Sequence, residues 1–173
     1  LGQETKLTQK LSATAAAHPQ RVVFAEAVHP TMLKAAVQAK AEGICQPVLL
    51  GNDEVIMKLA KSLDLSLDGI EIVNLRHPNE QERRERYARI LTEKRQREGY
   101  TFQEANDKMF ERNYFGMMMV ETGEADAFIT GLYTKYSNTI KVVNEVIGIR
   151  PEYKHFGTMH IINSPKGTYY IAD

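Results

Sequence analysis

A chain of 173 residues that is 43% hydrophobic and 25% charged has the make-up of one globular domain. Its 22 basic residues balance 22 acidic ones, so total charge argues against nucleic acid or an anionic membrane as a partner. No apolar run approaches the ~20 residues a membrane helix needs, the opening residues lack the apolar core of a secretory signal, and the single Cys45 leaves no internal disulfide, which together point to a cytoplasmic protein.

Residues 1–19 read as a linker or weak helix, with Leu7 and Leu11 one turn apart and a stop at His18-Pro19. Arg21 to Ala27 is the first buried strand, short and β-branched. A helix follows from Pro30 to Glu42, its inner stripe made by Leu33, Ala36, Val37 and the stem of Lys40, and it stops at Gly43. Cys45 lies just before the second strand, Pro47 to Gly51, and is expected to be an inert, half-buried thiol. Asn52-Asp53 caps a helix whose inner face is Val55, Ile56, Leu59, Ala60 and Leu63, and a third strand runs from Ile70 to Asn74. Alternating strands and helices with short links predict a right-handed parallel sheet covered by helices.

Pro78-Asn79 opens a long charged helix to Glu98, in which Glu80/Arg84, Glu82/Arg86, Glu85/Arg89 and Glu93/Arg97 are spaced for i,i+4 ion pairs. Its inward stripe is Tyr87, Ile90, Leu91 and Lys94. Thr101 and Glu104 form a capping box that starts the next helix, which continues through Met109 and the apolar Gly116-Met-Met-Met-Val120 to Gly123. The methionines belong in a core, and Gly116 allows close helix–strand packing. Glu26 and Asp126 both lie next to strand ends, and a crevice at the carboxyl edge of the sheet is the general expectation for such a fold.

The stretch Ala125–Val143 carries the strongest local signal. A strand at Ala127–Ile129 breaks at Thr130-Gly131, and a hydroxyl-rich loop leads into a helix from Asn138 to Ile147. A helix N-terminus has unpartnered N–H groups and partial positive charge, so this layout suits an anion, with Thr130, Thr134, Ser137, Asn138, Thr139, Lys135 and Lys141 beside it. The competing reading is an ordinary connection in which Ser137 and Asn138 merely cap the helix. After Ile149-Arg-Pro151, His155–Ile162 and Thr168–Ala172 predict an antiparallel hairpin, turned at Ser164–Gly167 and added to the parallel sheet. Leu at position 1 and a closing strand with no crossover beyond it lead to the expectation that the chain is part of a longer protein.

The common nucleotide fingerprints G-x-x-x-x-G-K-[ST] and G-x-G-x-x-G are absent, as is a G-x-S-x-G elbow, and the five histidines show no metal-ligand spacing.

Several segments nevertheless carry a likeness in order and spacing. Arg21-Val-Val-Phe-Ala-Glu26, Glu42-Gly-Ile44, Pro47-Val-Leu-Leu-Gly51, Gly123-Glu-Ala-Asp-Ala127, Thr130-Gly131, Ile147-Gly-Ile-Arg-Pro151 and Lys166-Gly-Thr-Tyr-Tyr-Ile-Ala-Asp173 resemble the phosphate acetyl/butyryltransferase family. Among its branches they are most like the phosphotransacetylase-like C-terminal region of bacterial NADP-dependent malic enzymes. The resemblance implies an α/β fold with a mostly parallel sheet flanked by helices and a C-terminal β-hairpin. Residues 20–173 would be the first lobe of an isocitrate/isopropylmalate dehydrogenase-like two-lobe fold. Acyl-CoA and phosphate would bind between the lobes, and the second lobe would carry the family's catalytic serine, arginine and aspartate.

Carried over residue by residue, Arg95 falls where the acetyltransferases have a basic residue implicated in binding CoA. Lys141 stands where they have an arginine, keeping the charge but losing the bidentate fork. The small-residue loop of the family is here the bulky Leu132-Tyr-Thr-Lys-Tyr136, and Ala27-Val-His-Pro30 replaces an acidic stretch. The resemblance therefore implies a regulatory and oligomerising segment that senses acetyl-CoA, with a ligand cleft at Arg95, Thr130, Gly131, Ser137, Asn138, Thr139 and Lys141, and Tyr133 and Tyr136 as interface anchors. No residue of this segment is expected to be catalytic or to bind a metal. The parent would be a homo-oligomer whose N-terminal part uses NADP and a divalent metal, magnesium or manganese, to decarboxylate malate to pyruvate. The alternatives are a phosphate acetyltransferase and a ligand-free assembly domain.

Overall fold

Short runs of β-branched and aromatic residues with both faces covered make the centre of this molecule, as expected for parallel strands. The computed structural model describes residues 6–164 and 166–172. Residues 1–5 of the expected linker, Pro165 of the hairpin turn and Asp173 lie outside that description. Helix α1 (Lys6–Ala17) leads in and is largely exposed. Strand β1 (Gln20–Phe24), helix α2 (Pro30–Ala41), strand β2 (Cys45–Leu50), helix α3 (Asp53–Ser62) and strand β3 (Glu71–Val73) follow in strict alternation. A short 3-10 turn precedes helix α4 (Gln81–Arg95), then come α5 (Phe102–Lys108), α6 (Arg112–Glu121), strand β4 (Ala127–Ile129) and helix α7 (Tyr136–Val146). Strands β5 (Met159–Ser164) and β6 (Gly167–Ala172) close the chain.

The sheet order is β3-β2-β1-β4, all parallel, with Val23 level with Val48 on one side and Phe128 on the other. Alternating side chains serve two cores. Phe24 and Leu49 pack with Leu33, Ala36, Ile56 and Ala60 beneath α2 and α3. Val23, Val48 and Leu50 pack with Tyr87, Leu91, Phe115, Met118, Val142 and Val146 beneath α4, α6 and α7. The chain leaves β1 toward β2 and β3 and returns to place β4 on β1's other flank, so a topological switch point lies between β1 and β4.

Several expectations hold at the level of single residues. Met117, Met118 and Met119 are buried core. Gly116 lies against β4: a methyl there would meet Phe128 Cδ2 at 2.7 Å and Leu50 Cδ1 at 2.9 Å. Lys40 runs its stem inward and donates to the Gly69 carbonyl at 2.7 Å. Cys45 is the first residue of β2 and is buried, which pushes its thiol pKa up and leaves it unreactive.

Other expectations are corrected. The helix read as continuous from Thr101 to Gly123 is two helices, α5 and α6, broken by tight turns at Phe110 and Glu111. A straight rod of that length would span about 30 Å, whereas α5 must lie on α4 while α6 packs beneath the sheet. The hairpin is not added to the parallel sheet but forms a two-stranded sheet of its own, beginning at Met159 rather than His155. Strand β4 ends the parallel sheet on its outer flank, and the two hairpin strands pair with each other. Val55 faces solvent rather than the core. Of the four ion pairs expected along α4, only Glu85–Arg89 forms (3.4 Å). Arg84 turns inward, and Arg86 pairs with Glu124 from the start of the β4 segment.

Candidate anion-binding cleft

At the carboxyl edge of the sheet, the segments after β1, β2, β3 and β4 surround a cleft of about 740 Å³. Its walls include Val28, Gly51 and Asn52, the loop from Asn74 to Pro78, the α5–α6 turn from Phe110 to Asn113, and Thr134, Asn138 and Val142. Glu26 stands just beyond β1 and is only 1% exposed. Its carboxylate accepts the backbone N–H of Leu132 at 2.8 Å and of Tyr133 at 3.0 Å, so a buried charge organises the loop after β4. Each carboxylate oxygen thus accepts one backbone N–H, which offsets the burial of the carboxylate without a cationic partner. Asp126 lies at the opposite end of the sheet, where it accepts the Arg21 N–H at 2.8 Å. The two carboxylates noted at strand ends are therefore not a pair.

Gly131, at φ +118°, allows the chain to turn out of β4, a conformation that side chains resist. Thr130 Oγ1 donates to Asn113 Oδ1 at 3.1 Å and so ties the loop to the start of α6. His29 packs edge-on against the Tyr133 ring with centroids 5.0 Å apart. Helix α7 then begins at Tyr136, two residues earlier than expected. Its N-cap is Lys135, whose side chain makes no capping bond, and its first turn holds no acidic residue. The Ser137–Asn138 capping role is thus not realised: both sit inside the helix, with exposed side chains. Asn138 and Thr139 N–H groups fold back on the Lys135 carbonyl, and among the described residues none partners the N–H of Tyr136 or Ser137. The Thr139 Oγ1 is buried and has no hydrogen-bond partner. Such a bare helix start favours negative charge.

Ser137, Asn138 and Thr139 share the first turn of α7, but of the expected ligand residues only Asn138 lines the cleft, while Thr130 and Gly131 lie at the start of the loop before the helix. Lys141 is one turn further along, exposed, with its ammonium 3.8 Å from Glu145. Arg95 is at the other end of α7, a helix length of roughly 16 Å away. There Arg95 Nε donates to the Glu145 carbonyl at 2.7 Å, a second nitrogen bonds the Asn144 carbonyl, and the third meets Glu98 at 2.7 Å. Two of the three nitrogens hold the helix C-terminus, and the third is engaged by Glu98. Tyr133 and Tyr136 are each 67% exposed.

At the same C-terminal end of α7, the Glu145 carboxylate accepts the hydroxyls of Tyr100 and Tyr114, with Lys108 3.8 Å away. Burial alone would raise its pKa. The two phenol hydrogen bonds and the charges of Lys108 and Lys141 outweigh that and hold it below the ordinary carboxylate value. Burial, then the Glu145 bond, pushes both tyrosines upward.

Sequence reasoning singled out neither the role of Glu26 nor the residues that the α5–α6 break brings to the cleft. A glutamate directly after a fully apolar strand was the available sign for the first. Among the described residues, no group of three or more histidine, cysteine, aspartate or glutamate side chains could hold a metal ion, and no helix is long and apolar enough to cross a membrane.

A parallel sheet flanked by helices, with a switch point and a cleft at its carboxyl edge, defines an α/β fold with a candidate ligand site. The family model described as phosphate acetyl/butaryl transferase matches residues 6–173, and the chain belongs to that family. It is 34% identical over 132 residues to a phosphate acetyltransferase of Helicobacter pylori, covering 76% of this chain and 25% of that protein. It is 33% identical over 142 residues to an NADP-dependent malic enzyme of Rhizobium meliloti, covering 80% of this chain and 18% of the other. A solved phosphotransacetylase from Streptococcus pyogenes superposes with a TM-score of 0.81 at 23% identity, covering 95% of this chain and 49% of its own. The chain therefore spans about a quarter or less of those curated relatives and about half of the solved structure.

Proposed function

We propose that the cleft binds the phosphate-bearing portion of an acyl-CoA, and that the chain serves as the first lobe of a phosphotransacetylase-like segment that regulates and assembles a malic enzyme. The observation that carries this reading is the uncapped N-terminus of α7, which brings Asn138 to the cleft and follows a loop that Glu26 holds through the N–H groups of Leu132 and Tyr133. Membership of the family supplies acyl-CoA as the ligand class, and the malic-enzyme relative supplies the branch. In such a parent, NADP and a magnesium or manganese ion would belong to N-terminal domains. Homo-oligomer contacts would use the exposed Tyr133 and Tyr136.

The test is calorimetric titration of the full-length protein with acetyl-CoA, alongside malate turnover. Binding together with altered turnover supports the reading, whereas no heat and no effect on turnover sinks it.

A second reading, a phosphate acetyltransferase exchanging acetyl groups between CoA and phosphate, is favoured by the Helicobacter pylori relative. Acetyl phosphate formed by the full-length protein from acetyl-CoA and phosphate would establish it. The ligand-free assembly reading draws on Tyr133 and Tyr136, and it predicts an oligomer whose sedimentation ignores CoA.

A further inference from the structure

We propose that Glu145, near the end of α7, is a positioning residue for the cleft: through Tyr114 and Lys108 it fixes the α5–α6 turn that forms part of the cleft wall. That role holds whatever ligand the cleft takes.

A glutamate is a costly choice at this place. It sits in the last turn of α7, where the helix dipole disfavours an anion, and no basic residue of that turn compensates. Its side chain is only 13% exposed. An apolar residue would fill such a position at a lower desolvation cost, as Val142 and Val146 do on the same helix.

What the carboxylate does is gather three other segments. One oxygen, Oε2, accepts both the Tyr100 hydroxyl, from the link before α5, and the Tyr114 hydroxyl, from the first turn of α6. Lys108, the last residue of α5, donates to the Tyr114 hydroxyl at 3.0 Å and stands 3.8 Å from the same carboxylate oxygen. Its ammonium also lies 4.5 Å from the centroid of the Tyr114 ring and 5.5 Å from that of Tyr100. Lys108, Tyr114 and Glu145 thus form a donor-to-acceptor chain with opposite charges at its ends, in which each bond strengthens the next.

Lys108 and Tyr114 bracket the break between α5 and α6, and Phe110 to Asn113 between them line the cleft. Helix α5 packs on α4 while α6 packs on α7, so the turn joins two helices with different supports. Helix α7 itself supplies Asn138 and Val142 to the cleft. Glu145 therefore ties two parts of the lining to each other. Its reach extends to the loop after β4, because Asn113 in that turn accepts the Thr130 hydroxyl at 3.1 Å. Displacing the turn outward by about 1 Å would take that bond out of range.

The experiment measures amide hydrogen exchange in the full-length protein and in its E145A and E145Q variants. I56A, which destabilises the other core, serves as the reference. The Phe110 and Glu111 amides, held by the Asp107 and Lys108 carbonyls, report on the turn. In E145A these two should exchange roughly tenfold faster, while in I56A they stay near the wild-type rate. E145Q keeps an acceptor for the phenols and should fall between wild type and E145A. Y114F, which deletes only the hydroxyl, carries the same prediction as E145A if that variant does not fold. A second readout is a double-mutant cycle of E145A, or of Y114F in its place, with T130V. T130V alone should raise the unfolding equilibrium constant roughly two- to tenfold, and by clearly less in the E145A background. Unchanged exchange at Phe110 and Glu111 in folded E145A or Y114F, or an equal rise in I56A, would overturn the positioning role and leave Glu145 serving stability alone. Strict additivity in the cycle with T130V would overturn the link from Glu145 to the loop after β4.

Discussion

The carboxylate of Glu26 accepts the backbone N–H of Leu132 at 2.8 Å, joining residues more than a hundred positions apart across the switch point between β1 and β4. That bond, with its companion to Tyr133, fixes the path of the loop that leads into α7. Glu26→Ala is expected to lower stability by about 2–3 kcal/mol, since it removes two charge-assisted bonds at a buried site. Glu26→Gln keeps one good acceptor and should lose less. Urea denaturation measures the difference, and equal stability of wild type and Glu26→Ala would remove Glu26 as the organiser of the loop.

Gly116→Ala is expected to destabilise by about 1–3 kcal/mol, because the new methyl meets Phe128 and Leu50 in a filled core. Phe128→Leu added to Gly116→Ala should recover part of the loss by making room. A double-mutant cycle on thermal or urea stability reads this directly, and strict additivity of the two changes would contradict it.

Arg95→Ala should act on stability. Its bonds to the Asn144 and Glu145 carbonyls close the C-terminal end of α7, so their loss is expected to lower stability by about 1–3 kcal/mol. Because the residue lies at the far end of the helix from Ser137 and Asn138, acetyl-CoA affinity of the folded variant should change little. A large loss of affinity with unchanged melting would instead assign Arg95 to ligand binding.

Glu145 predicts a pH dependence. Its folded pKa is depressed, so its contribution is fully present above the unfolded carboxylate value of about 4.3 and is lost as pH falls through the lower folded value. Glu145→Gln should therefore be less stable than wild type near pH 7, and the gap should narrow on acidification. Urea midpoints followed across that range check it; a gap that widens toward acid would mean the carboxylate is not the stabilised form.

Lys141→Ala should leave the fold intact, since the side chain is two-thirds exposed (67%) and its ion pair with Glu145 is long at 3.8 Å. Under the acyl-CoA reading it should weaken the response of the full-length protein to acetyl-CoA, as measured by titration and by malate turnover. An unchanged response would favour the assembly reading.

The sequence by itself determined the layer structure and most of the inward faces. Short continuous apolar runs such as Val22–Phe24 and Val48–Leu50, glycine stops and the Thr101–Glu104 capping box are local signals, readable without the rest of the chain. The anion-suited segment after β4 was legible for the same reason: strand, glycine, polar loop and helix start are contiguous. Tertiary structure alone decided which side chains share the cleft. The break between α5 and α6 is imposed by the need to cover both α4 and the sheet, and it carries Arg112 and Asn113 to the cleft. The hairpin stands apart from the parallel sheet, a matter of long-range pairing that its local pattern does not encode. Arg84, Arg95 and Glu26 found partners distant in sequence rather than one turn away. Burial is the reason: a charge removed from water takes whichever donors or acceptors the packed fold brings to it, and sequence spacing does not encode them.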